Sequence, residues 1–335
     1  MAETENPETV KESKRRFVCF SLKVHSHPPG EIRMRPVLLE LPIGHGFHIN
    51  SFGVFLVLGF VFGLVIAHRR AITAGLPKNA VLDVGLISAF AGIVAARVSH
   101  MLFVVDVIEG DYGGIKEWLG IWDGGLTLYA GGAVACLFSL LYLEWNGLPA
   151  GKTFDACAPA AAVSLGIGRI GCLLNGCCWG LPAPNGFPLA MIFPRHLEPM
   201  SSQENLFTLW PEQWADFLLP LGYPPGTPPP VPIYATQFAA IAGMFTLATG
   251  LIVAERICRR RGDGQIAIWF MLAYGAGSFI MEAYRGESAA VSWLGTLCGL
   301  LPGQWLSLAT IAIGCVFQLR LLLRGRAEAI DLPPS

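Results

Sequence analysis

The chain has 335 residues, of which 53% are hydrophobic and only 14% charged, with mean hydropathy +0.52. Ordinary soluble domains carry roughly a quarter charged residues, so a pair of soluble domains of this length is excluded in favour of one polytopic membrane domain. The net charge of -1 implies no polyanion partner, and no nucleic acid is expected.

Residues 1–40 are basic at seven positions (Lys11, Lys14, Arg15, Arg16, Lys23, Arg33 and Arg35) and lack the apolar core of a cleavable signal. They read as a disordered tail, or as an extension upstream of a start at Met34. A helical crossing needs about 20 mostly apolar residues, and seven runs qualify: Asn50 to Ala67, Ala80 to Val105, Leu126 to Leu143, about Phe154 to Asn175, Ile233 to Ala254, Gln265 to Tyr284 and Gln304 to Leu319. The expected fold is therefore all-α, with seven transmembrane helices filling residues 41–325 and a short tail at 326–335.

Basic residues cluster after the first run (Arg69, Arg70, Lys78), the third (Lys152), the fifth (Arg256, Arg259, Arg260, Arg261) and the seventh (Arg320, Arg324, Arg326). Cytoplasmic loops retain Lys and Arg, so the N-terminus is expected outside and the C-terminus in the cytoplasm. The segment 181–232 contains 13 prolines, a density no membrane helix tolerates. It reads as an irregular extracytoplasmic cap, either a tolerated insertion or a binding loop.

Ionisable residues inside apolar runs are costly and face a cavity or a partner. Arg97 lies in the second run, Arg169 late in the fourth, and Glu282 and Arg285 at the end of the sixth. Tyr274, Ser278, Glu282 and Arg285 recur every three or four residues and share one helix face. Two readings stand: a structural Glu–Arg pair at (i, i+3), or a pocket in which arginines converge on an anionic headgroup. Glycine-rich stretches sharpen the second reading. Gly166, Gly168, Gly171, Gly176 and Gly180 end the fourth run, and WDGGLTLYAGG spans Trp122 to Gly132. Such backbone lines a cavity or approaches a ligand closely. The sequence has no Walker or dinucleotide fingerprint, and no cofactor is expected.

Nine cysteines are scattered along the chain. The spacing of Cys172, Cys177 and Cys178 is not the paired CxxC of zinc sites and no His is near in sequence, so no metal is expected. The three read as small packing residues, with a disulfide from Cys172 to Cys177 or Cys178 as the other reading.

The stretch GRIGCLLNGCCWG, Gly168 to Gly180, resembles the signature of the prolipoprotein diacylglyceryl transferase family, bacterial inner-membrane enzymes with seven crossings. Gly168, Arg169, Asn175 and Gly180 match its pattern. WDGGLTLYAGG, the pair Thr236–Gln237, YGAGSFIMEAYRGE (Tyr274 to Glu287) and GQWLSLATIAIG (Gly303 to Gly314) resemble further family stretches in the same order. The resemblance covers roughly Met34 to Leu323. It implies transfer of a diacylglyceryl group from phosphatidylglycerol to the lipobox cysteine of a prolipoprotein, among membrane lipids. It also implies Tyr129, Glu282 and Asn175 as catalytic residues, and Arg169, Arg285, Arg97, Gly168, Gly176 and Gly180 as the phosphatidylglycerol contacts. Against the commonest family pattern, Tyr129 stands for a His, Phe52 for a Tyr, Cys177 for a Glu and Ser278 for an Arg, and Tyr234 lies near a usual His. A tyrosine at 129 can still donate a hydrogen bond, whereas a phenylalanine at 52 moves no proton. Those substitutions are the support for a second reading, a lipid-binding homologue without turnover. A transporter is the third, and no internal repeat speaks for it.

Overall fold

The computed structural model describes residues 37–41, 47–102, 128–192, 211–258, 264–285 and 298–330. Each apolar run contains a helix. In chain order these are α1 (Ser51–Thr73), α2 (Ala80–His100), α3 (Leu128–Trp145), α4 (Ala150–Asn175), a short α5 (Pro211–Leu218) outside the runs, α6 (Thr236–Cys258), α7 (Gln265–Glu282) and α8 (Pro302–Ile330). Five of them, α1, α2, α4, α6 and the Pro302–Leu323 part of α8, are long and apolar enough to cross a membrane.

The fold is mostly helical rather than wholly so. Strand β1 (Val37–Leu41) pairs antiparallel with β2 (Phe47–Asn50), and β3 (Ala190–Met191) with β4 (Ile233–Tyr234). The first ribbon begins at Val37, inside the segment read as tail. Strand β3 and α5 lie in the segment 181–232, so the described part of that segment is not irregular throughout. The remainder of the segment expected as tail, residues 122–127 of the glycine-rich stretch, residues 193–210 of the segment expected as a cap and Glu287 lie outside the described residues.

The helices meet through small residues and turn large apolar ones outward. On α1, Gly59, Gly63, Ala67 and Ala71 are buried at four-residue intervals, while Val57, Val61 and Phe62 are exposed. A Cβ on Gly59 would lie 2.7 Å from the Ser164 carbonyl of α4, and one on Gly63 would collide with the Ser164 hydroxyl. Small residues every fourth position let helix backbones approach in lipid, where apolar surface gains nothing by leaving the solvent. The same device joins α2 to α3, where a Cβ on Gly131 would sit 2.7 Å from the Gly92 carbonyl. Phe90 of α2, 76% exposed, faces away from such contacts.

Polar side chains tie one end of the bundle. Pro159 inside α4 has no N–H to give the Asp155 carbonyl one turn back. Arg70 of α1 takes that role, with Nη2 donating to Asp155 O at 3.3 Å and Nε to Ala156 O at 3.1 Å. Nη2 also meets Glu255 Oε2 of α6 at 2.6 Å. The Asp155 carboxylate accepts from the backbone N–H groups of Gly264 (3.1 Å) and Ala267 (2.9 Å), capping the N-terminus of α7 from a neighbouring helix.

Candidate active site

The opposite end is built around the stop of α4. Gly176 takes φ +77°, Gly176 N–H bonds to Leu173 O at 3.3 Å and Cys177 N–H to Cys172 O at 3.1 Å. This is a Schellman turn, which characteristically brings the side chains at its first and last positions together, here Cys172 and Cys177. Cys178 follows with φ +60°, a left-handed conformation unusual for a residue with a Cβ. Two buried residues at the start of α6 hold it there: Thr236 Oγ1 donates to Cys178 O at 2.9 Å and Gln237 Nε2 to Cys177 O at 3.0 Å. The Thr–Gln pair legible in the sequence thus clamps the turn.

The chain then runs extended between two neighbours. Leu181 N–H bonds to Tyr284 O and Tyr234 N–H to Leu181 O, both at 2.9 Å, and Ala183 N–H bonds to Pro232 O at 2.9 Å. Gly180 bridges Arg285, and a Cβ there would collide with the Tyr234 carbonyl. The ring of Tyr234 meets those of Phe187 and Tyr284 edge-on, each at 5.2 Å.

This register sets Arg285 against the α4 turn. Its Nη2 donates to Cys178 Sγ at 3.3 Å and its Nη1 to Glu282 Oε2 at 3.3 Å. Glu282 is buried, and its carboxylate lies on Gly303 of α8, where any Cβ would clash with it. Gly303 opens the stretch GQWLSLATIAIG, but its contact with a carboxylate on another helix, which its small size allows, emerges only in three dimensions. Arg169, half-buried on α4, has Cys178, Cys172, Arg285 and Tyr274 as electrostatic neighbours. The structure therefore brings Arg169, Glu282 and Arg285 together, with Tyr274 on the same α7 face.

Asn175 is the last residue of α4 and Gly176 its turn glycine. At Gly168 a Cβ would meet nothing within 4 Å; the tight approach on that helix is instead at Gly171, 2.8 Å from Phe55 Cβ. Arg97 is buried on the last turns of α2. A Cβ on Gly131 would reach Ala96 Cβ at 3.0 Å, so the first turn of α3 lies beside those last turns. Tyr129 belongs to that first turn, and its side chain lies outside the described residues.

The cysteines form a cluster, with the sulfurs of Cys172, Cys177 and Cys178 all within 4.8 Å of one another and all three reduced. The Cys178 thiol is held low by hydrogen bonds from Cys172 and Cys177, then by the guanidiniums of Arg285 and Arg169, against the opposing effect of burial. The Cys177 thiol is pushed up by the same thiol contacts and by burial.

Small-residue helix contacts and an apolar exterior define a multi-pass membrane protein, with two guanidiniums brought together at one end of the bundle. Comparison with known sequences is more specific: the profile of the family described as prolipoprotein diacylglyceryl transferase matches residues 36–320. The chain belongs to this family of transferases. Among similar proteins is the phosphatidylglycerol–prolipoprotein diacylglyceryl transferase of Clostridium tetani, 25% identical over 84% of this chain and 95% of its own length. The enzyme of the same name from Proteus mirabilis is 29% identical over 83% of this chain and 90% of its own. The second such transferase of Clostridium perfringens is 25% identical over 88% and 98%.

Proposed function

We propose that the protein transfers the diacylglyceryl group of phosphatidylglycerol to the lipobox cysteine of prolipoproteins, the first step of bacterial lipoprotein maturation. It would do so in the cytoplasmic (inner) membrane, crossing it seven times with the N-terminus outside. The observation that carries this reading is the convergence of Arg169 and Arg285 at one end of the bundle. Two like charges repel, and holding them together is worthwhile where an anion comes between them.

The reaction is a displacement. The peptide thiol loses its proton, the thiolate attacks the glyceryl carbon, a C–S bond forms and the C–O bond to phosphate breaks. The electron pair leaves with glycerol phosphate. The growing charge on the phosphate oxygens is met by the forks of Arg169 and Arg285, whose bidentate geometry suits phosphate. Glu282, buried against Gly303, fixes Arg285 in place. Arg97 and Tyr129, at the facing ends of α2 and α3, supply a further cation and a hydroxyl, and Asn175 a polar support at the turn. Gly176 and Gly180 allow the turn to pass close to the headgroup, and Gly168 leaves room beside it.

The test is expression in a strain depleted of its own transferase, followed by lipidation of a lipobox peptide with phosphatidylglycerol. Restored growth and a diacylglyceryl thioether on the peptide are expected. Folded, membrane-inserted protein that lipidates nothing sinks the proposal.

A further inference from the structure

Three thiols from one turn point at one another, and packing alone does not require that arrangement. The linear spacing hides it. The Schellman turn joins Cys172 to Cys177, and the left-handed backbone of Cys178 swings the third sulfur back onto them, within 4.8 Å. That backbone is disfavoured for a residue with a Cβ, and Thr236 and Gln237 hold it there by hydrogen bonds to the turn's carbonyls.

We propose that Cys172, Cys177 and Cys178 bind one divalent thiophilic cation of the zinc class, with the fourth position left for the thiol of the incoming peptide. Tetrahedral zinc at about 2.3 Å from each sulfur places sulfurs about 3.8 Å apart, so the cluster needs to contract by roughly 1 Å at most. Among the described residues the cluster offers three ligands and no fourth. Four protein ligands close a structural site; three leave the position that water or substrate fills in catalytic ones. Three thiolates and a divalent ion carry one net negative charge, and Arg285, donating to Cys178 Sγ at 3.3 Å, supplies the offsetting positive charge and orients that ligand. Cys177 and Cys178 are half-buried rather than sealed, so the ion and the peptide can reach them.

The step rests on the transferase reading. A thiol bound to such an ion is deprotonated, its proton passing to water. The metal-bound thiolate attacks the glyceryl carbon, the C–O bond breaks toward the phosphate held by Arg285 and Arg169, and the neutral thioether, a poor ligand, departs. No oxidant or reductant enters.

The experiment uses the full chain in detergent, reduced and stripped with a chelator, and titrated with Cd²⁺ alone. A thiolate-to-metal charge-transfer band saturating at one ion per chain is expected. Cys172→Ser, Cys177→Ser and Cys178→Ser should each weaken it at least ~10-fold without loss of helical circular dichroism. On the unaltered protein, Zn²⁺ should protect these thiols from iodoacetamide, a readout independent of variant folding. A lipobox peptide should strengthen the Cd²⁺ band and an S-alkylated one should not. Transfer should fall on stripping and return with Zn²⁺. Absence of a one-to-one band, or its survival in the triple serine variant, overturns the site. Equal transfer by stripped and Zn²⁺-loaded protein overturns the thiol role and leaves the transferase reading standing. A one-to-one Cd²⁺ site in a protein that lipidates nothing in either state supports the metal site and overturns the transferase reading.

Discussion

Arg169 is the residue on which the proposed chemistry turns most directly, because it lies in the C-terminal part of α4 with Arg285 and Cys178 as electrostatic neighbours. Arg169→Ala is expected to lower peptide lipidation ~100-fold or more, the scale of losing one preorganised contact to developing charge. Arg169→Lys should recover only a fraction, since an ammonium keeps the charge and loses the planar fork. Both are read by initial rates on a lipobox peptide, with circular dichroism to show the helices intact. At this scale the charged residues were legible in the sequence because charge inside an apolar run is conspicuous by itself. Gly303 and the cysteine cluster were not. Gly303 matters for a carboxylate on another helix, and the cluster depends on a left-handed Cys178 that no residue preference would suggest.

The helices themselves were the most legible feature, since each apolar run holds one. Their ends were less so. The fifth apolar run begins at Ile233, yet Tyr234 gives its N–H to Leu181 O and becomes strand, and α6 begins at Thr236. The fourth begins at about Phe154, yet α4 begins at Ala150, where Pro149 supplies its carbonyl to the Thr153 hydroxyl and N–H. Partners distant in sequence decided the first case and a local cap the second. Contacts between helices give the prediction that belongs here. Gly63→Leu should force α1 from Ser164 of α4 and lower stability by about 1–3 kcal/mol, as overpacking does. Gly250→Ala on α6 meets nothing within 4 Å and should be neutral or stabilising by less than ~1 kcal/mol. Thermal midpoints of the two variants in the same detergent check the pair.

For the molecule as a whole, the contacts sort the helix ends into two groups. Arg70, Asp155, Glu255 and Gly264 meet at one end; Cys178, Thr236, Glu282 and Gly303 meet at the other. Among the described residues α4, α6, α7 and α8 therefore run in alternating directions, and α1 runs opposite to α4. The basic end is expected in the cytoplasm: a green fluorescent protein fused after Ile330 should fluoresce and an alkaline phosphatase fused there should stay inactive, and the reverse outcome would invert the placement. Asp155 then acquires a mechanical meaning. From Asp155 to Arg169 along α4 and from Ala267 to Glu282 along α7 are two rods of ~20 Å each at 1.5 Å per residue, fastened at one end by two hydrogen bonds to a single carboxylate. They form the arms of a pair of tongs with an arginine at the tip of each. Under the proposed function, a small rotation at the fastened end would change the gap between the tips, and with it the grip on a phosphate that Asp155 never touches.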